Sequence, residues 1–135
     1  MKPMMKKGAV VIAALVLLLT SCGEGTVTER QHVEEAVLLS YTTLLDGRYA
    51  DYVSLLAGAS KRSADYNEQL AANAAMFIEE QQRLHTNIVD VRVADVKIAR
   101  DGAQAEAYVV LCYADSTNEE IVVPVLKEQG TWKVR

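Results

Sequence analysis

The chain has 135 residues, of which 50% are hydrophobic and 24% charged, and its formal net charge is −4. That is chain for one ordinary domain, too short for two standard ones and too apolar for disorder. No basic surplus is present to neutralise phosphates, so a nucleic-acid partner is not expected.

Lys2, Lys6 and Lys7 precede an unbroken apolar run from Ala9 to Leu19. As a helix this run would span roughly 16 Å, against about 30 Å for a bilayer core. It therefore reads as a signal peptide rather than a membrane span. The run closes on Leu19, Thr20, Ser21 and Cys22, which resembles the lipobox of bacterial lipoproteins. The resemblance implies removal of residues 1–21 and acylation of Cys22 with palmitate-type chains. Several chains on one residue satisfy the rule that stable anchoring needs more than one lipid. Gly23 follows, where an inner-membrane-retained lipoprotein usually has aspartate, so the resemblance favours an outer-membrane position in the cell envelope. Which membrane face the protein occupies is left open. The mature chain would start with a tether over 22–27 and continue as one domain over 28–135. Its 11 basic and 18 acidic side chains give −7.

Thr28 with Gln31 has the form of a capping box, and Val33, Val37, Tyr41 and Leu44, flanked by Ala36 and Leu45, recur at helical spacing. A helix over about Glu29–Leu45 is expected, ended by Asp46 and Gly47. A short helix from Tyr49 to Ala57 presents Tyr49, Tyr52, Val53 and Leu56, and Gly58 closes it. Ser60 or Ser63 caps a third helix running to about His85, with Tyr66, Leu70, Ala74, Phe77 and Leu84 on one side. From Asn87 the period becomes alternating. Val89, Val91 and Val93 share a face, whereas Val96 and Ile98 have opposite parity, so a bulge is expected near Ala94 or Asp95. Asp101 and Gly102 turn the chain into a second strand, Ala103–Ala114, with Ala103, Ala105, Ala107, Val109, Leu111 and Tyr113 on one face. A third strand over Ile121–Lys127 and a last short one over Thr131–Val134 complete a meander. Helices first and antiparallel strands second is the α+β pattern.

The lipobox, the helix end Leu45-Asp46-Gly47-Arg48-Tyr49 and the closing Gly130-Thr131-Trp132-Lys133-Val134 together resemble small bacterial lipoproteins with a nuclear transport factor 2-like domain, also described as cystatin-like or lumazine-binding-like. The resemblance implies N-terminal helices packed on a strongly curved antiparallel sheet, a cone-shaped fold. It does not fix function, because isomerases, dehydratases, transport factors and domains without known activity share that fold.

An enzyme of this fold needs an acid or base inside the cone beside a tyrosine. Tyrosines are available, but the third strand over Ile121–Leu126 lacks any ionisable residue, and Glu106 falls on the outer parity of the second strand. His32 and His85 belong to no metal-ligand spacing and read as solvated polar residues, so neither metal nor cofactor is expected. Cys112 reads as a small packed residue, with an intermolecular disulfide or a reactive thiol as the alternatives. Tyr108, Val110, Cys112, Val122, Pro124 and Leu126 make an apolar set on the face where a half-buried sheet normally places polar groups. Two explanations stand: a homodimer through the sheet, which the fold resemblance implies, or a reversed sheet with these residues lining the pocket. The candidate pocket or dimer surface is therefore Tyr41, Phe77, Tyr108, Val110, Cys112, Val122 and Leu126. The expected function is a non-enzymatic, membrane-anchored module binding a small apolar ligand or a protein. The alternative is an isomerase, dehydratase or hydrolase using a tyrosine plus an acid.

Overall fold

A computed structural model describes residues 28–135. The expected signal peptide over 1–21, lipidation at Cys22 and tether over 22–27 lie outside the described residues. Residues 28–31 are helical and belong to a different unit from the compact body His32–Arg135. Thr28, expected as a cap, is itself helical. Among the described residues no helix is long and apolar enough to cross a membrane.

The compact body opens with helix α1, residues 32–45. Val33, Val37 and Leu44 are buried, and the expected stripe is the face that packs. Thr43 is buried too, and its hydroxyl donates to the Leu39 carbonyl at 2.7 Å, which satisfies it inside the helix. The helix ends as Asp46-Gly47 suggests. Gly47 has φ +78°, its N–H donates to the Leu44 carbonyl, and the Arg48 N–H donates to the Thr43 carbonyl. This pair of bonds is a Schellman closure, and its left-handed residue is at ease only as glycine.

Helix α2 is Tyr49–Leu55, two residues shorter than expected, and a 3-10 turn, Ala59–Lys61, leads into α3, Ala64–His85. Of the two possible caps, Ser63 serves: its Oγ accepts from the Tyr66 N–H at 3.1 Å. The buried stripe of α3 is a correction. Ala74 and Ile78 face inward, whereas Tyr66, Phe77 and Leu84 are exposed. In this 22-residue helix those are the two buried residues, and they cluster with Leu44 rather than with the centre of the sheet.

The four strands are β1 Ile88–Ile98, β2 Gln104–Tyr113, β3 Asn118–Glu128 and β4 Thr131–Val134, in one antiparallel sheet of order β1-β2-β3-β4. The fold is α+β as expected, with helices followed by a curled half-barrel sheet. The expected bulge lies between Val93 and Asp95, and a second one lies between Ile88 and Asp90. The second bulge corrects the strand's first face. It turns Val89 out to 63% exposure and lets Ile88 join the core with Val91, Val93, Val96 and Ile98. Two bulges in one strand bend and twist it, which is how a flat meander becomes curled. On β2 the inner face is Ala105, Ala107, Val109, Leu111 and Tyr113, all buried as the alternation requires, whereas Ala103 is exposed because the strand begins only at Gln104. β3 and β4 join through Gln129 and Gly130, both at positive φ, the two-residue turn whose twist matches the strands.

Two stability measurements follow. Leu111, 1% exposed in the middle of the sheet, should cost about 2–5 kcal/mol on substitution to alanine in a denaturant titration. Thr86, between α3 and β1, has φ 100° and ψ −168°, a region open mainly to glycine. Its strain is of order 1–3 kcal/mol, and Thr86→Gly should recover about 1 kcal/mol of it after the entropy cost of glycine. A denaturation midpoint that falls in Thr86→Gly would contradict that assignment.

Candidate functional site

The concave side of the sheet is not an open pocket. Val33 and Val37 of α1, each 0% exposed, share one cluster with Ala105, Ala107, Val109 and Leu111. A more polar cavity of about 360 Å³ opens at the sheet end by Lys97, Gln104, Glu106 and Arg135, and the cleft with the most apolar lining lies among the helices. A cleft of about 330 Å³ is lined by Tyr41 and Leu44 of α1, Tyr52 and Leu56 from α2 and its cap, and Leu70, Asn73, Ala74 and Phe77 of α3. Its lining is three aromatic rings and four aliphatic side chains, with two phenol hydroxyls and one carboxamide as polar groups.

Burial holds the Tyr41 hydroxyl well above the ordinary phenol range, and the neighbouring Tyr52 pushes it in the same direction. Tyr52 is likewise raised by burial. Both therefore stay protonated and can donate. Among the described residues no carboxylate, imidazole or cation lines this cleft, so this lining can hold an apolar body and satisfy a neutral acceptor but offers no group to pair with a charge.

The candidate residues separate into two places. Tyr41 and Phe77 line the helix cleft. Tyr108, Val110, Cys112, Val122 and Leu126 lie on the outer face of the sheet, because the residues of opposite parity are the buried ones. This removes the reversed-sheet explanation. The outer apolar set is covered in part by its charged neighbours. The Lys97 ammonium sits 5.1 Å from the centre of the Tyr108 ring, and the Arg92 guanidinium donates to Cys112 Sγ at 3.6 Å. Long cationic side chains lay their stems over apolar surface while the charge stays wet. Val122 remains 51% exposed.

One arrangement was not foreseen. β3 begins at Asn118 rather than Ile121, and the extension brings Glu119 opposite Leu111 on the inner parity. The expectation of no acid on the inner face is thereby corrected. The Tyr113 hydroxyl, on a side chain only 3% exposed, lies 3.1 Å from Glu119 Oε1 and 3.0 Å from Gln81 Oε1 of α3. One phenol proton serves one acceptor at a time. His85, expected as a solvated residue, is half-buried with its ring tilted over that of Tyr113, centroids 4.7 Å apart. Burial, then the hydrogen bond to Glu119, then the charges of Glu119 and Asp115 push the Tyr113 phenol up to about 12. The legible signal was that Glu119 has the same parity as Ile121, Val123 and Val125, two residues before a buried run. Among the described residues no His, Cys, Asp and Glu cluster could hold a metal ion.

No protein-family model matches the chain, and no curated protein sequence does. Among solved structures, one from Campylobacter jejuni, provisionally named an NTF2-like transpeptidase, superimposes with a TM-score of 0.60 at 15% identity. The match covers 75% of this chain and 94% of that one. The domain therefore has the nuclear transport factor 2-like fold. At this identity the similarity concerns the fold and leaves the chemistry to the residues present here.

The raised phenols give a pH prediction. An unfolded tyrosine ionises near 10.0, and folded Tyr113 near 12. Its contribution to stability is thus complete below pH 10 and lost as the pH rises towards 12. Denaturation midpoints measured from pH 9 to 12 should fall in the native chain and fall less steeply in Tyr113→Phe. Parallel curves would contradict the assignment.

Proposed function

We propose that this protein is a lipid-anchored envelope module that binds a small, neutral, largely apolar ligand in the helix-lined cleft and performs no chemistry on it. The observation that carries the binding is the cleft lining: Tyr41, Tyr52 and Phe77 for contact area, two protonated phenols and Asn73 for one or two hydrogen bonds, and no ionised group. A charged ligand would lose its hydration there without compensation, whereas a neutral one meets donors and rings. Anchoring is supported by the order of basic start, short apolar run and Leu19-Thr20-Ser21-Cys22. An acidic mature domain gains nothing from anionic lipid surfaces, so acyl chains would have to supply the attachment.

Binding is tested with the neutral fluorescent probe N-phenyl-1-naphthylamine. Saturable fluorescence enhancement is expected, with affinity falling about tenfold or more in Phe77→Ala, which removes a cleft ring. Equal affinity in both proteins would refute the cleft as the site. For the anchor, Cys22→Ala should move the protein from the membrane to the soluble fraction or leave it unprocessed. Membrane partition that survives the substitution after signal cleavage would refute lipidation.

The second reading, an enzyme, is favoured by one observation, the 3.1 Å approach of the Tyr113 hydroxyl to Glu119. Two features weigh against it. Neither residue lines the cleft, and the transfer chemistry named for the Campylobacter jejuni protein would need a nucleophile with a base. Cys112 lies on the outer face of β2 and faces Arg92, while His85 stacks on Tyr113 of the inner face, so sheet separates thiol from imidazole. Turnover of any small molecule that is abolished by Glu119→Gln would establish the enzyme instead. The outer sheet face, with Val122 exposed, is proposed as the surface for a homodimer, which analytical ultracentrifugation of the native chain and Val122→Lys would test.

A further inference from the structure

Helix α3 is fastened unequally at its two ends. At the start, Ser63 caps it, Arg62 Nε donates to Asn67 Oδ1 at 2.9 Å, Arg62 Nη1 donates to the Ala57 carbonyl at 2.8 Å, and Asn67 Nδ2 donates to the Ala59 carbonyl. Its middle is held by the small cluster of Ala74 and Ile78 on Leu44. Beyond Ile78 no residue of the helix is fully buried. The last two turns touch the sheet through Gln81 and His85, and both meet the same residue, Tyr113. Immediately after His85 comes Thr86, with its glycine-like φ of 100°. A helix end with little buried area, one polar attachment and a strained junction behind it belongs to the low-stability part of a fold.

That end is continuous with a wall of the cleft. Phe77 lies one helical turn before Gln81, and Leu70, Asn73 and Ala74 precede it on the same helix. The opposite wall stands on α1, which the sheet holds through Val33 and Val37. A displacement of the end of α3 therefore changes the cleft from one side while the other stays fixed.

We propose that Tyr113 is a latch: the bond from its hydroxyl to Gln81 fastens the C-terminal end of α3 to the sheet, and its release frees that end, between the Ala74–Ile78 anchor and Thr86, to move and loosen the cleft wall at Phe77. Tyr113 acts here as a positioning residue. Its one proton goes at any moment to Gln81 of α3 or to Glu119 of β3, and the bond to Gln81 is the one that ties the mobile helix end to the sheet. The ring contact with His85 adds a second point on the same helix turn. The inference rests on the cleft being the ligand site, and the experiment separates the two.

Amide hydrogen exchange of the full chain is compared for the native protein, Tyr113→Phe, a Gln81→Ala and Glu119→Ala double variant, and Glu119→Gln. Losing one such hydrogen bond should speed exchange across residues 78–85 by about three- to tenfold while α1 is unchanged. The double variant should reproduce this. Glu119→Gln retains an acceptor oxygen and should exchange as the native protein does. N-phenyl-1-naphthylamine should associate faster with Tyr113→Phe in stopped flow. Exchange that is unchanged, or that rises equally in α1 and α3 as in general destabilisation, overturns the latch. Local exchange that rises without any probe binding to either protein upholds the fastening and overturns the cleft as a ligand site. Probe that binds both proteins at one rate overturns the gating.

Discussion

The seating of α1 in the curled sheet is the contact on which the rest depends. Val33 and Val37 are one turn apart, fully buried, and belong to the cluster of Ala105, Ala107, Val109 and Leu111 on β2. Alanine at 105 and 107 leaves room for a helix to approach a strand, and the larger Val109, Leu111 and Trp132 enclose it. Each fully buried valine contributes about 1.5–3 kcal/mol in area terms. With the concave face so occupied, the usual place for a pocket between helix and sheet is filled by side chains, and the apolar cleft forms instead where α1, α2 and α3 meet.

Curvature makes that seating possible, and it comes from local irregularities. The two bulges of β1 rotate its inner set from Ile88 to Val91 and Val93 and then to Val96 and Ile98, so one continuous surface faces α1 despite changes of parity. The segment after α2 is fastened to the far edge of the sheet as well: the Ala57 N–H donates to the Val134 carbonyl at 2.7 Å, and the Gly58 N–H donates to Glu128 Oε2 at 2.7 Å. α1 and the end of α2 thus move with the sheet. α3 carries four exposed large apolar side chains, Tyr66, Met76, Phe77 and Leu84, and its distal end meets the sheet at Tyr113.

The two faces of the sheet solve different problems. The inner one excludes water and fixes the helices. The outer one carries an apolar stripe along β2 and β3, shielded at its β1 side by Lys97 over Tyr108 and Arg92 beside Cys112. Cys112 is half-buried beside the Arg92 guanidinium, on the opposite side of the strand from the phenol of Tyr113. Side-chain alternation on one strand keeps the two chemistries apart.

Periodicity by itself determined the element order, the meander, the inner face of β2, the Gly47 helix end and one of the two bulges. Each of these is a local consequence of spacing or of a residue's own conformational range. The resemblance to a lipobox rests likewise on adjacency along the chain. Tertiary structure decided the rest, since those features arise from who meets whom. The stripe of α3 kept Ala74 but exchanged Phe77 and Leu84 for Ile78, because the helix packs on α1 and α2 rather than broadside on the sheet. Val89 went outward because a second bulge changed the parity at its position. Tyr52, Leu56 and Asn73 joined Tyr41 and Phe77 in one cleft although they stand on three segments. Glu119 became an inner residue because pairing with β2 extended β3 past the apolar run that marked it in sequence. Its meeting with Tyr113, Gln81 and His85 draws on two strands and a helix end, and no spacing along the chain encodes that encounter.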